Sequence, residues 1–242
     1  VESIQNSLKK LTNGKFKVAP DGYFEELHKQ VEAVMKKSGG AELILPDDYE
    51  TNNPNIVSRI KNDLLSWRTI KPHYLFYGSV GCGKTILCEA ILKSIKISLN
   101  HAYNELLEME KHAEYNSECF YRSRCQLAGE LSSMGLHTAM ELHETYLKYE
   151  NKLPVIPNIF ILDDLGAEKK TDGAVGLMDS IITARYEMKG SDMLFIITTN
   201  LMMSDIANRY GSRIKDRFED LVTVMKFEPR SFRREKREVI EG

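Results

Sequence analysis

An α/β fold is what this sequence predicts: three layers, with helices on both faces of a mostly parallel five-stranded sheet. Three observations predict it. Short apolar runs alternate with helical stretches from about residue 56 onward. A glycine-rich stretch, Gly78-Ser-Val-Gly-Cys-Gly-Lys-Thr85, lies between the apolar run His73-Tyr-Leu-Phe-Tyr77 and a helical segment that begins at Lys84. Another apolar run, Ile159-Phe-Ile-Leu162, ends in paired carboxylates at Asp163 and Asp164. Strands that alternate with helices are joined by crossovers, which makes the strands parallel and covers the sheet on both sides.

The elements follow in order. Residues 1–20 are polar and are punctuated by Asn13-Gly14 and Pro20. Over 22–37, Phe24, Leu27, Val31 and Val34 recur at steps of three and four, which gives a helix one apolar face. Gly39-Gly40 ends that helix. Pro46 to Pro54 keeps neither period and reads as a linker. A small N-terminal helical extension over 1–50 is therefore expected ahead of a main domain over 51–242. Ile56–Trp67 reads as a helix and 73–77 as a strand, and the helix from Lys84 runs to about residue 112. Glu118–Arg124 reads as a strand, and 126–149 as a helix interrupted at Gly135. Asn158–Asp163 reads as a buried strand, 174–188 as a helix and Met193–Thr199 as a strand. Helices over 203–210 and 211–219 precede a last strand, Leu221–Phe227.

The 242 residues suffice for one sizeable core. A hydrophobic fraction of 42% with 28% charged residues excludes wholesale disorder. Apolar runs reach only about five residues, far short of a membrane span. Val1-Glu-Ser-Ile-Gln-Asn6 lacks the charged-then-apolar pattern of a secretory leader. Cys82, Cys88, Cys119 and Cys125 have neither CxxC spacing nor a histidine pair beside them. That argues against a disulfide scaffold or a zinc site and for a reducing, cytoplasmic setting without a membrane. The net charge of −2 hides a local imbalance, because Arg209 to Arg237 holds ten Lys or Arg against five Asp or Glu. Such a segment suits a polyanion, or forms a solvated, ion-paired face.

GSVGCGKT fits the pattern GxxxxGK[ST]. A triphosphate is wrapped at close range by backbone N–H groups, so side chains must be absent and the turn needs φ values that glycine reaches cheaply. The helix beginning at Lys84 aims its positive end at the phosphates. Gly78, Ser79, Val80, Gly81, Cys82, Gly83, Lys84, Thr85 and Ile86 are thus the candidate ATP-binding residues, with Lys84 reaching the β and γ oxygens and Thr85 ligating Mg²⁺. A ligand-free glycine turn is the alternative, but the strand before and the helix after are the context the motif requires. Asp163 and Asp164 supply the second half: one acid associates with Mg²⁺, and the other orients a water for in-line attack. Phe195-Ile-Ile-Thr-Thr-Asn200 ends at the same rim, where Asn200 or Thr199 could contact the γ-phosphate or the water.

Taken together, GSVGCGKT, ILDDLGAE, ITTNL and Tyr210-Gly-Ser-Arg-Ile-Lys-Asp-Arg-Phe218, with Ser231-Phe-Arg-Arg234 after the last strand, resemble the AAA+ P-loop ATPases. Within them the chain is most similar to the DnaC/DnaI-type helicase loaders and the related IstB transposition ATPases, over about residues 50–234. The resemblance implies that Lys84 and Thr85 are the Walker A residues, Asp163 the Mg²⁺-associated acid, Asp164 the water-polarising acid and Asn200 the sensor. It implies an arginine finger given to a neighbouring subunit, with Arg217 as first choice and Arg213 as second. The same arginines, four apart, could instead pair with Asp216, Glu219 or Asp220. Arg233 matches an arginine that recurs near the end of these proteins. The implied partners are further copies of the chain in a ring or spiral, a replicative helicase, and single-stranded DNA.

Departures are visible. Many relatives carry Glu where this chain has Asp164, which is shorter by one CH₂ and implies weak turnover. A full C-terminal lid domain is not expected after the basic segment. DnaI-type loaders carry a zinc-binding N-terminal domain, yet residues 1–50 contain no cysteine. The 22–37 helix could dock on a partner or pack on its own core. Tyr210, Phe218, Phe227 and Phe232 could stack bases or fill the core. An IstB-like helper on duplex DNA, and an ATP-dependent protein-interaction switch with no nucleic-acid role, are the competing readings.

Overall fold

The computed structural model describes residues 19–49, 53–70, 72–113, 118–149, 157–188 and 193–228. Five strands are β1 (His73–Tyr77), β2 (Gly135–Thr138), β3 (Ile159–Leu165), β4 (Leu194–Thr199) and β5 (Thr223–Lys226). They form one sheet in the order β2-β3-β4-β1-β5, and every pairing is parallel. The inner strands read as continuous apolar runs because both faces are covered. Ile159, Ile161, Leu194, Ile196, Tyr74 and Phe76 face one core, and Phe160, Leu162, Phe195, Ile197 and Leu75 face the other.

On the first face lie α1 (Tyr23–Lys37), α2 (Pro54–Leu64), the short α3 (Trp67–Ile70), α4 (Lys84–His112) and α5 (Glu118–Ser133). Pro54 occupies the first turn of α2, where its fixed φ suits a helix and its missing N–H has no partner to lose. The other face is covered by α6 (Ala139–Lys148), α7 (Asp172–Glu187), α8 (Met203–Tyr210) and α9 (Ser212–Leu221). Thr138 and Glu141 close a reciprocal capping box at the start of α6.

At 29 residues, α4 is about 43 Å long, roughly twice the length of the strands it covers. Its second half therefore passes beyond the sheet. There Leu99, Ala102 and Leu106 are buried, and α1 and α5 pack against the helix. Leu27, Val31 and Val34 of the expected apolar face of α1 are thus spent inside the molecule, whereas Phe24 is half exposed. From the end of α1 the chain returns along α4 as an extended strap. Gly40 accepts from the Ser98 hydroxyl (2.6 Å), Ile44 N–H donates to Ser94 Oγ (2.9 Å), and the Tyr49 ring reaches Gly83 at the start of α4.

One strand is not where the sequence suggests. Glu118–Arg124, expected as a strand, is the first half of α5, and the sheet takes Gly135–Thr138 instead. Phe120 and Tyr121 favour a strand locally, but Phe120 and Leu127 lie two helical turns apart and bury against α4. Arg122 and Glu118 pair across one turn (2.7 Å) on the outer side. As an edge strand, β2 is half-buried and carries no apolar run, so its sequence shows only the glycine that interrupts the helix. The readings of a missing lid, of Arg233 and of Phe232 fall outside the described residues.

Candidate functional site

Parallel strands point one way, so the ends of β1, β3 and β4 meet at one rim. After β1 the chain turns through 78–83 into α4. Gly83, at φ 92, is the N-cap and provides no side-chain cap. A β-carbon there would be strained at that φ and would lie 3.3 Å from the Tyr49 ring. The first N–H groups of α4 have no partner within the helix, which leaves an electropositive hollow suited to an anion. Ser79, Val80 and Ile86 are exposed around it, Gly81 carries a positive φ, and Cys82 is buried beneath.

Lys84 is 5% exposed. Its ammonium donates to the carbonyls of Gly78 (2.9 Å) and Ser79 (3.0 Å) and to Asn200 Oδ1 (3.0 Å). The lysine of the cradle and Asn200, the residue that follows β4, are thus in direct contact. Cys88, one turn further along α4, is fully buried, and burial first, then the Asp163 charge, pushes its thiol well up, so it stays protonated and inert.

Asp163 is 4% exposed and faces α4. It accepts from the Thr85 hydroxyl (3.1 and 3.2 Å) and from Thr198 Oγ1 (2.5 Å). A hard cation suits this pair, since Mg²⁺ takes one or two protein oxygens and completes its shell with water and phosphate. Asp164 does not simply alternate with Asp163. The β3–β4 register advances three residues on β3, from Leu162 to Leu165, for two on β4, from Ile197 to Thr199. Asp164 is the extra residue, at φ 53, and its N–H donates to Thr198 Oγ1 (2.9 Å). Leu165 consequently returns to the face of Leu162. Bulges of this kind re-aim a side chain beside an active site. Thr198 therefore joins the two acids, and the sequence offered no sign of it beyond its place in ITTN.

Thr199, named with Asn200 as a possible phosphate contact, is fully buried. Its hydroxyl donates to Leu165 O (2.6 Å) and accepts from Leu201 N–H (3.0 Å), which makes it a clamp between β3 and β4. Tyr210, Phe218 and Phe227 are also buried, so the base-stacking reading fails for all three. Arg217 lies against α7, where it donates to Asp179 (3.3 Å) and to Thr183 and sits over the Tyr186 ring. Its partners are not the neighbouring acids in sequence. Arg213, on the same helix, is exposed and makes no hydrogen bond or ion pair among the described residues.

Residues 74–223 match the family described as "ATPase family associated with various cellular activities (AAA)". The chain belongs to the AAA family of ATPases. Nucleotide binding comes with that membership. Solved structures similar to this chain include the DnaC helicase loader, at 19% identity and TM-score 0.45 over 78% of this chain and 97% of that one. DnaI matches at 16% identity and TM-score 0.43, over 81% and 94%. AMPPCP-bound DnaA from Aquifex aeolicus matches at 16% and 0.47, over 82% and 53%. No curated protein gives a significant match. Among the described residues of this AAA protein, no helix is long and apolar enough to cross a membrane.

Proposed function

We propose that this AAA protein is an ATP-driven helicase loader for the initiation of DNA replication. Copies assemble through their nucleotide sites, hold single-stranded DNA and a replicative helicase, and release them on hydrolysis. The sequence resemblance in GSVGCGKT, ILDDLGAE, ITTNL and SRIKDRF supports the loader reading. The observation that carries assembly is the contrast on α9: Arg217 is tied down within its own chain, and Arg213 is exposed with no hydrogen bond or ion pair among the described residues. Arg213, second choice from the sequence, is therefore preferred as the arginine offered to a neighbour.

The chain's own groups divide the work. On nucleotide arrival, Lys84 exchanges the Gly78 and Ser79 carbonyls for β and γ oxygens. Release of its third acceptor, Asn200 Oδ1, in the same exchange frees the Asn200 amide for the attacking water. Thr85 and Asp163 would hold Mg²⁺, which when bound would draw charge from the phosphate oxygens. Asp164 orients the water and takes its proton as the new P–O bond forms and the bond to the β-phosphate oxygen breaks. A neighbour's Arg213 neutralises the charge that builds on the transferred group, an effect worth on the order of 10³-fold in such enzymes.

Trapping with Asp164→Asn tests the reading. In ATP this variant should bind nucleotide without turnover, prefer single-stranded to duplex DNA, and co-purify with a hexameric helicase. Preference for duplex would favour the transposition-helper reading. DNA binding that vanishes at moderate salt and ignores nucleotide would remove the nucleic-acid role.

A further inference from the structure

Glu168 follows the paired acids by four residues and is almost entirely buried. Its Oε2 accepts from Gly166 N–H (3.0 Å). Its Oε1 accepts from Arg209 Nε (3.2 Å), from the second Arg209 nitrogen (3.1 Å) and from the Tyr210 hydroxyl. Arg209 also donates to the Glu168 backbone carbonyl and to the Tyr210 oxygen (3.1 Å). A buried carboxylate is thereby matched by one guanidinium and two further donors, a satisfied network that holds its members in one arrangement. None of these residues touches the nucleotide cradle, and the steps above do not use them.

What the network joins is more informative than its own chemistry. On one side is the Asp164 bulge: its N–H is held by Thr198, and its carbonyl accepts from Ala167 N–H (3.0 Å). Gly166, at φ 100, closes the turn so tightly against Leu201 that a β-carbon would sit 2.6 Å from that side chain. The turn therefore has little freedom to move without Glu168. On the other side, Arg209 and Tyr210 are the last residues of α8. Gly211 alone separates them from α9, where Arg213 is the second residue.

We propose that Glu168 is a positioning residue that fixes the water-orienting acid of one nucleotide site to the helix carrying the arginine for the next. This rests on the trans role of Arg213 proposed above. A subunit whose Arg213 engages a neighbour's nucleotide would then present its own Asp164 in the hydrolytic geometry, so that firing passes from site to site.

Mixed assemblies test it with measured ATP turnover and the affinity for a fluorescent ATP analogue. Arg213→Ala subunits, which keep an intact site, are first mixed with Lys84→Ala subunits, which keep an intact arginine; turnover should return. Glu168→Gln is then added to each partner in turn, once to the Arg213→Ala subunit, which only hydrolyses, and once to the Lys84→Ala subunit, which only donates its arginine. We expect at least a 10-fold lower kcat in both roles with analogue affinity within about 2-fold of the parent chain, and recovery with Glu168→Asp in at least one role. Tyr210→Phe keeps the ring in place and should show the same two-sided loss, about 3-fold, should Glu168→Gln fold poorly. A kcat equal to that of the Arg213→Ala and Lys84→Ala mixture for Glu168→Gln or, where that fails to fold, Tyr210→Phe in either role overturns the coupling alone. No return of turnover in the Arg213→Ala and Lys84→Ala mixture overturns the trans arginine, and the coupling with it.

Discussion

Thr198 shows how much of the site depends on one hydroxyl. It donates to Asp163 and accepts from the Asp164 amide, so one side chain sets both the charge that faces Thr85 and the bulge that carries Asp164. Thr198→Val keeps the shape but leaves buried Asp163 with the Thr85 hydroxyl as its remaining donor among the described residues and removes the acceptor of the Asp164 amide. The expected cost is about 1–3 kcal/mol of stability. Turnover should fall about 10- to 100-fold, as when a group behind a metal-binding acid is removed. Thermal melting and kcat on the same preparation check both. At the opposite end of the strands, where β1 begins, His73 makes a separate residue-scale prediction. Burial lowers its imidazole to about 4; the hydrogen bond to Pro72 opposes this and the Arg185 charge adds to it. Its Nδ1 accepts from Phe195 N–H (3.3 Å), which requires the neutral ring. The unfolded chain takes up that proton near pH 6.5, so the contribution is full above that pH and is lost as pH falls toward 4. The loss should reach up to about 3 kcal/mol. It should appear as a difference in urea stability between the parent chain and His73→Phe over that window.

Among the elements, α9 and α5 differ most from their sequence reading. Two arginines four residues apart on α9 are equivalent on paper, yet one is bonded across to α7 and the other is exposed. Arg217→Ala should therefore cost about 1 kcal/mol of stability, the value of a partly exposed pair. Arg213→Ala should leave melting unchanged and lower kcat in the assembled state. Turnover measured against protein concentration separates the two. In α5, Leu127 is fully buried and Tyr121 is exposed. Leu127→Ala should cost about 2–5 kcal/mol and Tyr121→Ala about nothing, as urea titration would show. A strand over 118–124 would leave Leu127 outside the element altogether.

For the molecule as a whole, the strap over 40–49 ties α1 to the start of α4, so the N-terminal helix and the cradle share one core. The cradle, the paired acids and the alternation of strands with helices were legible because each is local. Wrapping a phosphate demands glycines and a lysine within eight residues, and a strand covered on both faces must be apolar throughout. The edge strand β2 was not legible, because half-exposure removes the pattern that marks a strand. The partners that finish the site are distant in the chain: Thr198 lies 35 residues from Asp163, Arg209 lies 41 from Glu168, and Arg217 lies 38 from Asp179. The sequence by itself determined that a magnesium nucleotide is expected at one rim of a parallel sheet. Only the tertiary structure decided which acid sits on a bulge, which carboxylate is locked to α8 and which arginine is left exposed, because pairing across such separations is set by packing and leaves no period in the sequence.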